Sequence, residues 1–282
     1  MSQFAKPLRS KERNKKTGSY DFFPCGKCYA CVQRRISGWA FRLDREMIHS
    51  RSAYFITLTY DEDHVVSTNN GLLTLHKPDL QQFFKRLRQN EWRIKGNSKP
   101  IKYYAIGEYG SRYNRPHYHI ILFNAHQDMV LKSWVDTNNK AYGDVHFGDV
   151  EQGSIKYVVG YFYKELKVPL FPGDDRQKEF AVMSKGLGKQ YLTQPMLTWY
   201  GQDILNRFYL PLPGNQKASI PRYYQQKMYS EKLLKEIKQQ LIEKVELERN
   251  AWIIKNYQQL QPVHVAQESF NLKNKTYRDW ET

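Results

Sequence analysis

The chain has 282 residues, and its 44 Lys and Arg against 28 Asp and Glu give a formal charge of +16. This excess makes a polyanion such as nucleic acid the expected partner, and the aromatic content of 15% supplies rings that can stack on bases. No apolar run has the length of a membrane span, and the N-terminus lacks the apolar stretch of a signal peptide. We therefore expect a cytoplasmic protein with no membrane partner.

Three regions follow one another along the chain. Residues 1–24 are rich in Lys and Arg and poor in apolar residues, which predicts a flexible basic arm. Residues 25–168 carry the strong helix and strand patterns, which predicts a folded core. Residues 169–282 contain loops marked by Gly and Pro and a charged amphipathic helix over residues 233–254, so we expect a loop-rich and helical C-terminal region.

Hydrophobic periodicity predicts eight elements in the core. In chain order these are a helix over 33–49, a strand over 54–60, a helix starting near Lys77, strands over 101–107 and 117–123, a short helix over 126–135, a strand within 143–150 and a helix over 153–166. The order βαββαβ is that of the ferredoxin-like, split βαβ unit. We therefore expect an α+β fold with an antiparallel sheet, helices packed on one face and a C-terminal helical extension.

Two histidines alternate with apolar residues in the predicted strand PHYHIILF. His117 and His119 are two residues apart, so both side chains lie on the same face of the strand. A hairpin joins this strand to the one that precedes Glu108, which brings the carboxylate within several ångströms of the imidazoles. This set can bind a divalent cation and leave positions for substrate oxygens. A pair of surface histidines and the site of a mononuclear iron oxygenase are the alternatives.

The helix SIKYVVGYFYKE supplies candidate nucleophiles. Tyr157, Tyr161 and Lys164 follow one another at i, i+4 and i+7, which places them on one helical face. A nearby metal-bound phosphate and a lysine ammonium would favour ionisation of a tyrosine, which could then attack a phosphodiester. Such an attack would cut the strand and conserve the bond energy as a phosphotyrosine. The alternative is that both tyrosines simply cover the sheet.

A cysteine cluster, PCGKCYAC, precedes the first predicted helix. Cys25, Cys28 and Cys31 have C-x₂-C-x₂-C spacing, and their odd number and crowding argue against a disulfide framework. Three thiolates can supply three ligands of a structural Zn²⁺ ion, with a fourth from elsewhere in the chain. A turn of buried cysteines is the alternative.

The ordered set of motifs resembles a known family. RPHYHIILF resembles the HUH motif, two histidines flanking a hydrophobic residue, and YVVGYFYK resembles the two-tyrosine YxxxYxxK motif of replication initiators. PCGKCYACVQRR, FITLTYDEDHV, GEYGSRYNRPHYHIILF and YVVGYFYK occur in the order found in replication initiation proteins of microviruses, especially their gokushovirus branch. The resemblance implies an origin-specific endonuclease of the HUH superfamily that starts rolling-circle replication of a single-stranded DNA phage genome.

The resemblance also implies cofactors, partners and roles. It implies Mg²⁺ or Mn²⁺ as cofactor, single-stranded DNA and duplex origin DNA as substrates, host DNA polymerase and helicase as partners, and the cytoplasm of a bacterial host as the location. Gly160 departs from the pattern, because relatives often have a basic residue there. The residues that match the family's functional positions are the metal ligands Glu108, His117 and His119, the nucleophiles Tyr157 and Tyr161, and the lysine Lys164.

A non-catalytic function is the alternative from another class. The basic arm and the aromatic residues would then form an origin-binding or single-strand-binding module, and the histidines would be structural. Arg112 and Arg115, in the hairpin beside the histidines, are candidate DNA-phosphate contacts, although a solvated turn has the same composition. This alternative predicts salt-sensitive DNA binding that needs no metal and leaves no covalent adduct.

Overall fold

The fold combines antiparallel strands with helices. A computed structural model describes residues 8–13, 20–26, 28–96, 99–161 and 168–256. The strands are β1 (Leu8–Arg13), β2 (Tyr20–Phe23), β3 (Ala53–Thr59), β4 (Lys102–Tyr109), β5 (Pro116–Phe123), β6 (Val145–Gly148), β7 (Phe180–Met183), β8 (Leu210–Leu212) and β9 (Gln216–Ala218). The α-helices are α1 (Tyr29–His49), α2 (Lys77–Lys95), α3 (Gln127–Leu131), α4 (Gln152–Tyr161), α5 (Gln194–Gln202), α6 (Arg222–Met228) and α7 (Glu231–Asn256).

The largest sheet has five antiparallel strands in the order β6-β3-β5-β4-β7. Strands β3 and β4 both run antiparallel to β5, which lies between them, so the β3-α2-β4 unit is split by an inserted strand. The predicted α+β class, with its antiparallel sheet and C-terminal helix, is confirmed. Strand β7 was not predicted, because four residues are too few to show a clear alternating pattern.

The described part of the chain divides into two compact units. The described residues of 39–190 form the unit that contains the five-stranded sheet. The described residues of 1–38 and of 191–256 form the other unit. Within the stretch predicted as a basic arm, the described residues include β1 and β2, which pair antiparallel. None of the described helices is long and apolar enough to cross a membrane.

One face of the five-stranded sheet packs against α2. The helix has Pro78 in its first turn, a position where a missing N–H costs nothing, and its apolar residues recur at i, i+3, i+4 and i+7. Side chains of β3 and β5 meet this stripe and form one buried cluster. The members from α2 are Leu80, Phe83, Phe84 and Leu87, and those from the strands include Ile56, Leu58, Tyr118 and Ile120.

Helix α1 contacts the opposite face of the sheet through its last two turns and Trp39. The Trp39 ring lies 5.0 Å from that of Tyr104 on β4. Glu46, which is 1% exposed, pairs with Lys102 at 2.8 Å and also accepts a hydrogen bond from the backbone N–H of Gly188 at 2.8 Å. A buried ion pair stabilises only while both partners are present, because either charge alone is desolvated without compensation.

We expect Glu46→Ala to destabilise the protein strongly. The substitution leaves the Lys102 ammonium buried without its carboxylate, which lowers the free energy of unfolding by about 3–5 kcal/mol. Lys235→Ala, which removes an exposed ion pair with Glu231, is the matched control and should cost under about 1 kcal/mol. Urea unfolding followed by circular dichroism measures both variants. Equal losses of unfolding free energy in the two variants would contradict the assignment of Glu46 to a buried ion pair.

Candidate active site

The register of β4 and β5 brings the three predicted metal ligands together. Glu108 lies directly opposite His117, and His119 follows two residues later on the same face of β5. The Nε2 atoms of His117 and His119 are 2.9 Å and 3.0 Å from the same carboxylate oxygen, Oε1 of Glu108. All three groups can therefore reach one ion.

Glu108 is a carboxylate that the two histidines stabilise. Burial by itself would raise the pKa of Glu108, whose side chain is 4% exposed. Hydrogen bonds and charge from His117 and His119 outweigh burial and lower this pKa to about 2. The second oxygen, Oε2, is buried and has no hydrogen-bond partner among the described residues. A buried polar atom without a partner is costly, so this oxygen is available to a ligand.

The hydrogen bond formed by Nδ1 of His117 shows that this ring nitrogen carries a proton. Nδ1 lies 3.1 Å from the carbonyl oxygen of Arg115, and a carbonyl only accepts, so Nδ1 is the donor. In a neutral imidazole Nε2 then holds a lone pair, which faces the ionised Oε1 of Glu108 at 2.9 Å. Two acceptors at this distance repel each other. A cation bound between Nε2 and Oε1 would remove this repulsion.

Strand β3 supports His119 in a way that the sequence did not reveal. The Thr57 hydroxyl lies 2.8 Å from Nδ1 of His119, and the Phe55 ring stacks on the imidazole with centroids 5.4 Å apart. Partners of this kind orient the rings of metal-binding histidines. The FITLTY segment was recognised as a core strand, but its contact with His119 depends on the β3–β5 pairing, which places Thr57 opposite His119.

The donor set fits a divalent cation. Two imidazole nitrogens and a carboxylate are ligands for a divalent cation, and the remaining coordination positions would be free for substrate oxygens. Adjacent ligands of an octahedron with bonds of about 2.1 Å are separated by about 3.0 Å. The observed nitrogen–oxygen separations of 2.9 Å and 3.0 Å match that spacing. The unsatisfied Oε2 offers a further donor atom.

Helix α4 places one predicted nucleophile at this group. The Tyr157 hydroxyl donates to Oε1 of Glu108 at 3.3 Å, and its ring meets that of His119 edge to face at 5.6 Å. Burial and the neighbouring Glu108 charge raise the pKa of Tyr157 to about 12, so the phenol is protonated at neutral pH. Tyr161 ends the described part of α4, and its side chain lies outside the described residues, as does Lys164.

The two arginines of the hairpin differ in their contacts. Arg115 forms an ion pair with Glu62 and donates to the Tyr60 carbonyl at 3.0 Å, so its guanidinium is held by the protein. Arg112 is exposed and lies over the ring of Tyr113, with 5.2 Å between the guanidinium carbon and the ring centroid. Tyr113 is itself 69% exposed. Arg112 and Tyr113 together therefore offer a cation and an aromatic face to solvent.

Comparison with known proteins identifies the family. A family profile for replication-associated proteins of the ORF2 type matches residues 53–166, a range that includes Glu108, both histidines and Tyr157. The replication-associated protein VP4 of Bdellovibrio phage phiMH2K is 30% identical over 230 residues, which cover 77% of this chain and 70% of that protein. The chain belongs to the phage replication-associated proteins. The resemblance to microvirus replication initiation proteins is thereby confirmed.

Two further members of this family of phage replication-associated proteins are similar over most of the chain. The replication-associated protein ORF2 of Spiroplasma virus 4 is 29% identical over 224 residues, which cover 75% of this chain and 69% of that protein. The replication-associated protein ORF4 of Chlamydia phage 1 is 26% identical over 220 residues, which cover 71% of this chain and 52% of that protein. No solved structure matches the chain significantly.

We expect Glu108→Ala to abolish binding of Mn²⁺, because it removes the oxygen on which both imidazoles converge. Thr57→Val keeps the side-chain shape but removes the hydroxyl beside His119, so Mn²⁺ affinity should fall about 10- to 100-fold. The exposed His49 provides the control variant His49→Ala, which should bind as the wild type does. Calorimetric titration with MnCl₂ measures all three. Unchanged Mn²⁺ binding by Glu108→Ala would exclude this site.

Proposed function

We propose that this protein is a metal-dependent, origin-specific DNA endonuclease and strand transferase that initiates rolling-circle replication of a single-stranded DNA phage genome. The observation that carries the proposal is the convergence of a tyrosine hydroxyl and two imidazole nitrogens on one carboxylate oxygen of Glu108. Membership of the phage replication-associated proteins supports a role in phage replication, and the charge of +16 supports binding to DNA.

Glu108, His117 and His119 would hold Mg²⁺ or Mn²⁺. The ion would supply Lewis-acid polarisation of the scissile phosphate. The protein fixes the three ligands on two paired strands, so they are arranged before substrate arrives. Arg115 contributes through its carbonyl, which holds His117 in the tautomer that presents Nε2.

Tyr157 is the nucleophile that the geometry supports. In the proposed reaction Tyr157 loses its phenol proton to solvent and its oxygen attacks the phosphorus; the bond from phosphorus to O3′ breaks, and O3′ takes up a proton from solvent to leave as a free 3′-hydroxyl. The products are a 5′-phosphotyrosine on the protein and a primer end for host DNA polymerase. A cation held by Glu108 would offset its charge, which is one of the causes that raise the pKa of Tyr157, and would so favour the phenolate.

Tyr161 is proposed as the second nucleophile. It follows Tyr157 by four residues on α4, about one helical turn. After one round of synthesis, with a host helicase opening the duplex, Tyr161 would cut the regenerated origin. The 3′-hydroxyl released by that cut would attack the first phosphotyrosine and close a single-stranded circle. Lys164 would favour the phenolate form of the attacking tyrosine. We place these events in the cytoplasm of the bacterial host.

The covalent adduct tests the proposal directly. Labelled single-stranded oligonucleotides that tile the cognate origin are incubated with protein and Mn²⁺ or EDTA, and the products are resolved on a denaturing gel. We expect an Mn²⁺-dependent protein–DNA adduct that Tyr157→Phe reduces at least tenfold and the Tyr157→Phe, Tyr161→Phe double variant abolishes. Tyr113→Phe, at an exposed tyrosine of the hairpin, is the control and should form the adduct normally. Salt-sensitive binding without an adduct at any position would instead support a non-catalytic DNA-binding module.

Arg112 and Arg115 should affect DNA binding differently. Arg112→Ala removes an exposed cation, so the slope of log affinity against log salt should fall by about 0.7 to 1. Arg115→Ala removes the contacts with Glu62 and the Tyr60 carbonyl, so it should lower thermal stability and leave the salt slope unchanged. Fluorescence anisotropy over a series of salt concentrations measures the slope. An equal fall in slope for both variants would show that Arg115 also contacts phosphate.

A further inference from the structure

Three thiols converge at the start of helix α1. The Sγ atoms of Cys25, Cys28 and Cys31 all lie within 4.8 Å of one another. None of the three forms a disulfide, and the chain contains no other cysteine. The thiols are partly exposed, so ions from solvent can reach them.

The backbone is shaped to bring these thiols together. Gly26 has a φ of +71°, a conformation that residues with a Cβ rarely adopt, and it forms the turn between the first two cysteines. The backbone N–H of Cys28 donates to Sγ of Cys25 at 3.1 Å. This hydrogen bond ties the Cys25 side chain to the turn that carries Cys28.

The start of helix α1 positions two of the three cysteines. The helix begins at Tyr29, so Cys31 lies in its first turn and Cys28 immediately precedes it. Burial and the neighbouring thiols raise the pKa of the Cys31 thiol, and a cation that binds there would displace its proton.

The spacing of the sulfur atoms fits a single small ion. In a tetrahedral site with zinc–sulfur bonds of about 2.3 Å, two sulfur atoms are about 3.8 Å apart. The observed separations, within 4.8 Å, need only a small inward movement to reach that value. An iron–sulfur cube would hold each thiolate on a different iron atom and so keep the sulfur atoms further apart.

We propose that Cys25, Cys28 and Cys31 bind one Zn²⁺ ion, which fixes the turn between β2 and α1. Three thiolates are soft ligands of the kind that select zinc over Mg²⁺ or Mn²⁺, so this site and the Glu108 site take different metals. No histidine, aspartate or glutamate of the described residues joins the cysteine group, so the fourth ligand comes from outside it. The proposal does not depend on the endonuclease activity.

The test measures metal on the full-length chain, purified under reducing conditions. Inductively coupled plasma mass spectrometry should find one zinc per chain in the wild type and also in a His117→Ala, His119→Ala double variant. Replacement by Co²⁺ should give the near-ultraviolet thiolate-to-cobalt charge-transfer bands and the visible bands of a tetrahedral site. Cys28→Ser should lose these bands, whereas the histidine variant should keep them.

A second measurement covers the case in which Cys28→Ser does not fold. A chelator added to the folded Co²⁺-substituted wild type should bleach the bands, and renewed Co²⁺ should restore them. Wild-type protein with less than a tenth of a zinc per chain and no thiolate-to-cobalt bands would overturn the proposal. Stoichiometric iron and acid-labile sulfide in place of zinc would also overturn it and assign the cysteines to a cluster.

Discussion

The site depends on a single buried oxygen atom. Oε1 of Glu108 lies within 3.3 Å of two imidazole nitrogens and one phenol hydroxyl, each fixed by a different position of β5 or α4. An isolated carboxylate at this depth would be desolvated at a cost of several kcal/mol. The groups that compensate this cost are the same groups that we assign to the reaction, so the chemistry and the stability of the site cannot be varied separately.

The core on the other face of the sheet holds the two histidines in place. Tyr118 stands between the two histidines on β5, and its side chain points to the face covered by α2. Its hydroxyl contacts that of Tyr60 at 3.1 Å and donates to the His76 carbonyl at 3.0 Å. A strand anchored on one face has little freedom on the other, because successive side chains share one backbone. Core packing therefore limits how far the imidazoles can move.

The alternating pattern of PHYHIILF and the hairpin before it were sufficient to predict that Glu108, His117 and His119 share a site. The contact of Thr57 with His119 could not be predicted, because it depends on which strand lies beside β5 and in what register. Arg115 could not be told from Arg112 for a similar reason, since its partner Glu62 lies 53 residues away in the sequence. Local periodicity predicts which residues share one face of a helix or strand. Contacts between helices and strands depend on long-range pairing, which periodicity does not predict.

The placement of the two proposed nucleophiles on one helix has a kinetic consequence. Four residues of α-helix rise about 6 Å, so the backbones of Tyr157 and Tyr161 are offset by about that distance along α4. The proposed metal ligands lie on the sheet and do not follow this offset. In the proposed reaction, exchange of one tyrosine for the other therefore requires α4 or the DNA to slide by about a helical turn. That displacement would be a distinct step, and its rate could limit how fast successive circles are released.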